Sequence, residues 1–186
     1  MKKLNFISLI VCVSFLITAC SGGGTTESSS VETAVATHGQ SGVVDKDSDK
    51  NILQIAASSP DHTTLAAAST AAEMLDVLAN PGPLTVFAPT NAAFDKLPAG
   101  TVEDLLKPEN KETLARIIMF HAAPGTYKDK GLRDGVQLYM ASGHYIDVEV
   151  KDDGTYVNGS KIMATIDASN GVIHVVEDVF LPPAEE

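Results

Sequence analysis

The sequence predicts a mixed α+β domain over residues 49–183, with helices first and short, mostly antiparallel strands after them. Three observations predict it. Apolar residues recur at helical spacing from Ile52 to Ile118, the pattern changes to strand-like runs beyond Gly125, and an Asn158-Gly159 step is of the type that closes two-residue hairpins.

Taken in order, Asp49 is placed to cap a short helix over residues 51–58, with Ile52, Leu53, Ile55 and Ala56 turned inward. Ser59-Pro60-Asp61 restarts a helix in which Leu65, Ala68, Ala72, Leu75 and Leu78 keep the helical period. Asn80-Pro81-Gly82-Pro83 ends it, because proline lacks the N–H that a further turn needs. Residues 84–88 read as a short apolar strand. Pro89 fixes its exit, and Thr90 or Asn91 caps a helix over 92–97 that returns Phe94 and Leu97 to the core. Thr101 is expected to cap 102–106, and 109–119 carries Leu114, Ile117 and Ile118 on one stripe.

Strands are expected at 136–140, 145–150, 156–157, 161–164 and 172–181. Ala141-Ser142-Gly143, Asp152-Asp153-Gly154 and Asn158-Gly159 separate them. Simple alternation fails at Glu177-Asp178, so a bulge or an early end of the strand is expected there.

The N-terminus carries the form of an export signal. Lys2 and Lys3 precede about sixteen mostly apolar residues, fewer than the roughly 20 that cross a bilayer core. Ile17-Thr18-Ala19-Cys20 resembles a bacterial lipobox, which implies cleavage of residues 1–19 and acylation of Cys20. Residues 20–48, rich in Ser, Gly and Thr, are expected to form a flexible tether reaching roughly 30 Å. Ser21 stands where an Asp would mark inner-membrane retention by resemblance to Gram-negative sorting, so an outer-membrane or cell-surface location is expected. Cys12 leaves with the leader and Cys20 takes lipid. The domain must then hold together by its apolar core, without a disulfide, a thiol nucleophile or a cysteine-ligated metal.

Charge narrows the partners further. The chain carries 13 Lys plus Arg against 24 Asp plus Glu, and Lys2 and Lys3 depart with the leader. With no basic cluster to meet phosphates, nucleic acid is excluded as a partner; the membrane is reached through the lipid anchor instead.

No catalytic set emerges. Gly-x-Ser-x-Gly is absent, and Gly22-Gly23-Gly24 lies in the tether rather than between a strand and a helix. The five histidines, His38, His62, His121, His144 and His174, show no ligand spacing. His121 follows Leu114 on the same stripe and His174 sits in an apolar strand, so both are read as core residues holding hydrogen bonds. No cofactor and no metal are expected. Asn158-Gly159-Ser160 also fits a glycosylation acceptor and is read as hairpin chemistry.

Two stretches carry a family resemblance. Residues 84–94, with Phe87, Pro89, Thr90, Asn91 and Phe94, look like the first signature of the fasciclin-like domain; Asn170, Gly171 and His174 belong to a stretch that looks like the second. Phe120-His121 stands where that family carries a tyrosine-histidine pair, so the phenolic hydroxyl is missing. An Asp-Ile pair, associated with integrin binding in animal adhesion members, is matched by Thr165-Ile166, with Asp167 displaced by two positions onto the same strand face. The resemblance implies a β-sandwich or wedge with a helical layer, and an adhesion or protein-interaction role. An integrin-type function is not carried over.

The expected function is thus a lipid-anchored adhesion or interaction module with a protein or glycan partner at the cell surface or in the periplasm. The alternative is a carrier of a small apolar or glycan ligand, held in a pocket lined partly by Met119, Phe120 and Met140. Signature residues are needed for the fold, so contacts are expected outside them: Pro124, Tyr127, Lys128, Arg133 and Tyr139, with the Asp152-Asp153-Gly154 turn as a weaker choice.

Overall fold

Asn51, rather than Asp49, starts the first helix. Its carboxamide oxygen accepts the Gln54 N–H at 2.8 Å while the Gln54 side chain accepts the Asn51 N–H at 3.0 Å, a reciprocal capping box ahead of α1 (Ile52–Ser58). The structure is a computed structural model that describes residues 49–183; the expected leader 1–19, Cys20 and the tether 20–48 lie outside the described residues.

The single helix expected as far as Leu78 is divided. A 3-10 turn, Pro60–His62, leads into α2 (Thr63–Ala71), and α3 (Leu75–Ala79) follows a break. Glu73 adopts φ 55°, its N–H bonds to the Thr70 carbonyl at 3.0 Å, and the Met74 N–H bonds to the Ser69 carbonyl at 2.9 Å. That pair of bonds is a Schellman stop made with a non-glycine residue. Leu75 and Leu78 keep the apolar spacing across the break, which hides it from a periodicity argument.

β1 (Leu84–Pro89) precedes α4 (Asn91–Asp95), whose cap is Thr90. Thr101 lies inside α5 (Thr101–Leu105); the capping position belongs to Gly100, at φ 86°. α6 (Lys111–Phe120) buries Leu114, Ile117 and Ile118 as expected. An unexpected strand follows, β2 (Ala122–Pro124), and then β3 (Gln137–Tyr139), β4 (Tyr145–Lys151), β5 (Gly154–Val157), β6 (Ser160–Ala168) and β7 (Gly171–Val176).

The strands form one sheet in the order β2-β1-β7-β6-β5-β4-β3, antiparallel throughout except for the parallel pair β1 and β7. The Ala141 N–H reaches the Ala122 carbonyl at 2.7 Å, so the β3 end of the sheet meets the β2 end and the sheet rolls nearly into a barrel. The expected sandwich or wedge therefore takes the form of one continuous curved sheet with a helical layer against it. β7 ends at Val176, which leaves Glu177-Asp178 outside the strand, and the bulge lies in its partner. Ile162 pairs with Val176 and Ala164 with Val175, so Met163 is the extra residue.

Alternation along β1 and β7 separates two cores. Phe87 and Val176 face the barrel interior with Leu138, Met140, Val148, Val157 and Phe180. Val86, Ala88 and Ile173 face the helices and pack on Ile52, Leu65 and Leu78. A smaller cluster of Ala68, Ala72, Leu114 and Ile118 joins α2 to α6.

Candidate functional site

The two signature stretches are neighbours. In the parallel pair, Phe87 stands beside His174, and their rings stack at 5.4 Å. His174 Nε2 lies 2.7 Å from the Tyr127 carbonyl, an acceptor only, which places the ring proton on Nε2. Nδ1 is then free to accept the Thr165 hydroxyl at 2.9 Å. The Tyr127 N–H donates to Thr85 Oγ1 at 2.9 Å, and the Thr85 hydroxyl donates to the Gly125 carbonyl at 2.8 Å. One chain of bonds thus joins β1, β6, β7 and the segment after β2. Burial pushes the His174 imidazole below its ordinary value, and the Tyr127 carbonyl opposes that shift.

His121 has the opposite tautomer. Nδ1–H donates to the Ile117 carbonyl at 2.8 Å and Nε2 accepts the Phe180 N–H at 2.9 Å. Burial lowers its pKa to about 4 despite the Ile117 carbonyl. Each of these histidines already uses both ring nitrogens, so neither has a free lone pair to offer a metal ion.

At the other end of β7, the Asn170 side chain ties three segments. Its oxygen accepts the Ile52 N–H at 2.9 Å, and its amide donates to the Leu78 and Asn80 carbonyls, each at 2.9 Å. Gly171, at φ 155°, brings its backbone so close to β1 that a Cβ there would lie 1.8 Å from the Leu84 oxygen. Asn91 plays a parallel role at the first signature. It accepts the Thr64 N–H at 3.0 Å and donates to the Pro60 carbonyl at 2.9 Å, pinning α4 to the start of α2. Pro89 is buried at the end of β1, and Phe94 packs half-buried on the helical core.

Residues 60–182 match the fasciclin domain. The chain belongs to the fasciclin family. It is 43% identical over 160 residues to protein sll1483 of Synechocystis sp., covering 86% of this chain and 83% of that one. It is 34% identical over 112 residues to the cell surface glycolipoprotein MPT83 of Mycobacterium tuberculosis, covering 60% of this chain and 49% of that one. Among solved structures, a FAS1 domain pair from the insect cell adhesion molecule Fasciclin I superposes with a TM-score of 0.64. It covers 72% of this chain and 51% of that one, and at 20% identity the likeness concerns the fold. Fasciclin domains are non-catalytic adhesion and protein-interaction modules.

The candidate contact residues of this fasciclin domain do not form one patch of equals. Tyr127 is partly buried against the barrel core, and its backbone belongs to the His174 network. Lys128 pairs with Asp167 at 2.7 Å. Pro124 and Arg133 are exposed. Tyr139 is exposed and stands across β3 and β4 from Tyr145, with 5.2 Å between ring centroids. In the Asp152-Asp153-Gly154 turn, Asp153 accepts Lys161 at 2.9 Å and the Tyr156 hydroxyl at 2.7 Å.

Sequence reasoning missed Tyr145, 64% exposed, and Met163, 61% exposed. The signal for Tyr145 was present, because alternation in β4 puts it on the solvent face with Asp147 and Glu149. Met163 is presented by the bulge, which no local pattern announces.

Of the residues expected to line a small-ligand pocket, Phe120 and Met140 are buried in the barrel core and Met119 is half-buried. An open groove of about 510 Å³ lies elsewhere, lined by Pro81, Pro83, Thr126, Lys128, Asp167 and the 168–171 turn. Its two charged groups satisfy each other.

Of the remaining histidines, His62 precedes α2 and bonds through Nδ1 to Ser59 Oγ at 2.8 Å. Its Nε2 is buried without a hydrogen bond, and burial lowers the pKa against the opposing pull of the Asp61 charge and the nearby Ala88 carbonyl. His144 sits edge-on to Phe120.

Proposed function

We propose that this fasciclin domain is displayed on a lipid anchor at Cys20 as an adhesion or interaction module for a protein or glycan at the cell surface. The observation that carries the reading is the division of labour in the domain. Signature residues of types that can do chemistry, His121, His174, Asn91 and Asn170, have their polar groups committed to bonds within the domain, whereas large side chains are presented outward on the sheet. The outward set centres on Tyr139 and Tyr145, a residue type that concentrates binding energy when partly exposed. The lipobox likeness and the similarity to a mycobacterial cell surface glycolipoprotein support the location.

Two measurements test this. Cys20→Ala is expected to move the protein from the membrane fraction to the soluble fraction with its fold unchanged, and an unmodified terminus in the mass of the wild-type mature chain would remove the anchor. The released protein is then applied to intact cells and envelope preparations. Saturable retention that drops at least tenfold in a Tyr139→Ala, Tyr145→Ala double variant supports the module; retention at the wild-type level by a folded double variant rejects this surface, and absence of retention rejects the adhesion reading.

A further inference from the structure

We infer that Asn158 is a self-modifying site, at which the asparagine converts to aspartate or isoaspartate without an enzyme, while the fold shields the second Asn-Gly step of the chain. Asn158-Gly159 and Asn170-Gly171 are chemically the same dipeptide. The structure treats them oppositely. Asn170 is buried, and its carboxamide makes three hydrogen bonds. Asn158 is exposed at the tip of the β5–β6 hairpin, and its carboxamide bonds to no described residue. Asn158 and Gly159 both adopt left-handed conformations, at φ 51° and φ 78°, with open space around Gly159. Such a turn needs positive φ at both central positions, which Asn-Gly adopts readily.

The same pair is reactive, because glycine puts no side chain in the way of its own amide nitrogen. The Gly159 nitrogen loses its proton and attacks Asn158 Cγ. A new N–Cγ bond closes a five-membered succinimide, the Cγ–Nδ2 bond breaks, and ammonia leaves carrying a proton. Water then adds to one of the two ring carbonyls. Opening at Cγ leaves aspartate in the normal chain; opening at the main-chain carbonyl leaves isoaspartate, with the chain routed through Cβ. Nothing is oxidised or reduced, and water is the only co-reactant. At Asn170 the first step would require the carboxamide to give up its bonds to Ile52, Leu78 and Asn80, so the fold blocks it.

The product adds a carboxylate to a hairpin whose charges otherwise balance, Lys161 against Asp167. The Asn158 N–H holds the Asp147 carbonyl at 2.9 Å, and the Asp147 side chain is exposed beside it on β4. The isoaspartyl form also inserts a methylene into a two-residue turn, which loosens the pairing of Val157 with Ser160.

The test is incubation of the mature protein in mildly alkaline buffer made with heavy-oxygen water, followed by peptide mass spectrometry. The native protein is expected to take up heavy oxygen at position 158 while position 170 stays intact; in urea both positions convert. Asn158→Gln is expected to abolish the native signal. If Asn158 stays intact in the native protein over a period that converts it in urea, the turn geometry blocks the reaction and the inference fails. Conversion of Asn170 as fast as Asn158 in the native protein overturns the protection.

Discussion

His121 accepts the backbone N–H of Phe180 at 2.9 Å and lies nearly parallel to the Phe180 ring, with 4.9 Å between the centroids. One side chain at the end of α6 thereby holds both the backbone and the ring of a residue that fills the barrel core after β7. The bond requires an unprotonated Nε2. A proton there would set a donor against the Phe180 N–H and leave a charge buried.

Acid should therefore loosen the domain through His121. Its folded pKa, about 4, lies below the ordinary 6.5, so the unfolded chain takes up the proton first as pH falls. The stabilisation is complete above 6.5, declines between 6.5 and about 4, and declines no further below that. A shift of this size corresponds to roughly 3 kcal/mol, and His174 acts in the same direction. Urea unfolding of wild type and His121→Gln across that window is the check, since glutamine keeps an acceptor but does not titrate. Equal losses in both proteins would assign the acid sensitivity to other groups.

Asn170→Ala removes three hydrogen bonds at once and strands the Ile52 N–H and the Leu78 carbonyl in buried surroundings. The expected loss is about 2–4 kcal/mol by urea unfolding. Asn170→Asp should do no better, because its carboxylate keeps the Ile52 N–H but faces the Leu78 and Asn80 carbonyls. If Asn170→Asp were close to wild type, the two amide donations would not matter.

Gly171→Ala should cost roughly 3 kcal/mol or more, since the added methyl would sit within the Leu84 carbonyl and force β1 from β7. Gly82→Ala is the control. No atom lies within 4 Å of its Cβ position and its φ is ordinary, so a change of less than about 0.5 kcal/mol is expected. Similar thermal midpoints for the two variants would mean that the strands can separate at little cost.

The elements legible in the sequence were those whose cause is local. Leu114, Ile117 and Ile118 announce α6, the apolar residues of β1 announce a strand, and Asn158-Gly159 announces its hairpin. β2 was not legible because Ala122-Ala123-Pro124 has neither alternation nor large side chains; it becomes a strand by pairing with β1. The second half of β6 was lost because the bulge at Met163 changes which face each later residue occupies. Apolar surroundings marked His121 and His174 as interior hydrogen-bonding residues, but not their partners. Phe180 is 59 residues from His121, and Tyr127 is 47 from His174. Tyr127 drew attention through its side chain, yet its backbone N–H and carbonyl form the network, and side-chain identity says nothing of those.

Thr165 stands where the resemblance would place an acidic residue. Its hydroxyl donates to His174 Nδ1, so the pair as built holds a neutral imidazole with its proton on Nε2. Thr165→Asp would replace a donor with an acceptor at that nitrogen. A carboxylate there favours a proton on Nδ1, and the Tyr127 carbonyl already favours one on Nε2, so the imidazolium becomes the form that satisfies both neighbours. The His174 pKa should rise from its lowered value, and the domain should lose less stability on acidification than wild type. Titration of the His174 ring resonances by NMR reads the first effect, and urea unfolding against pH reads the second. Thr165→Val separates charge from the loss of the hydroxyl: it should cost about 1 kcal/mol and leave the tautomer unchanged, because the Tyr127 carbonyl alone fixes it. A His174 resonance that titrates identically in wild type and Thr165→Asp would show that the side chain at position 165 does not govern the ring.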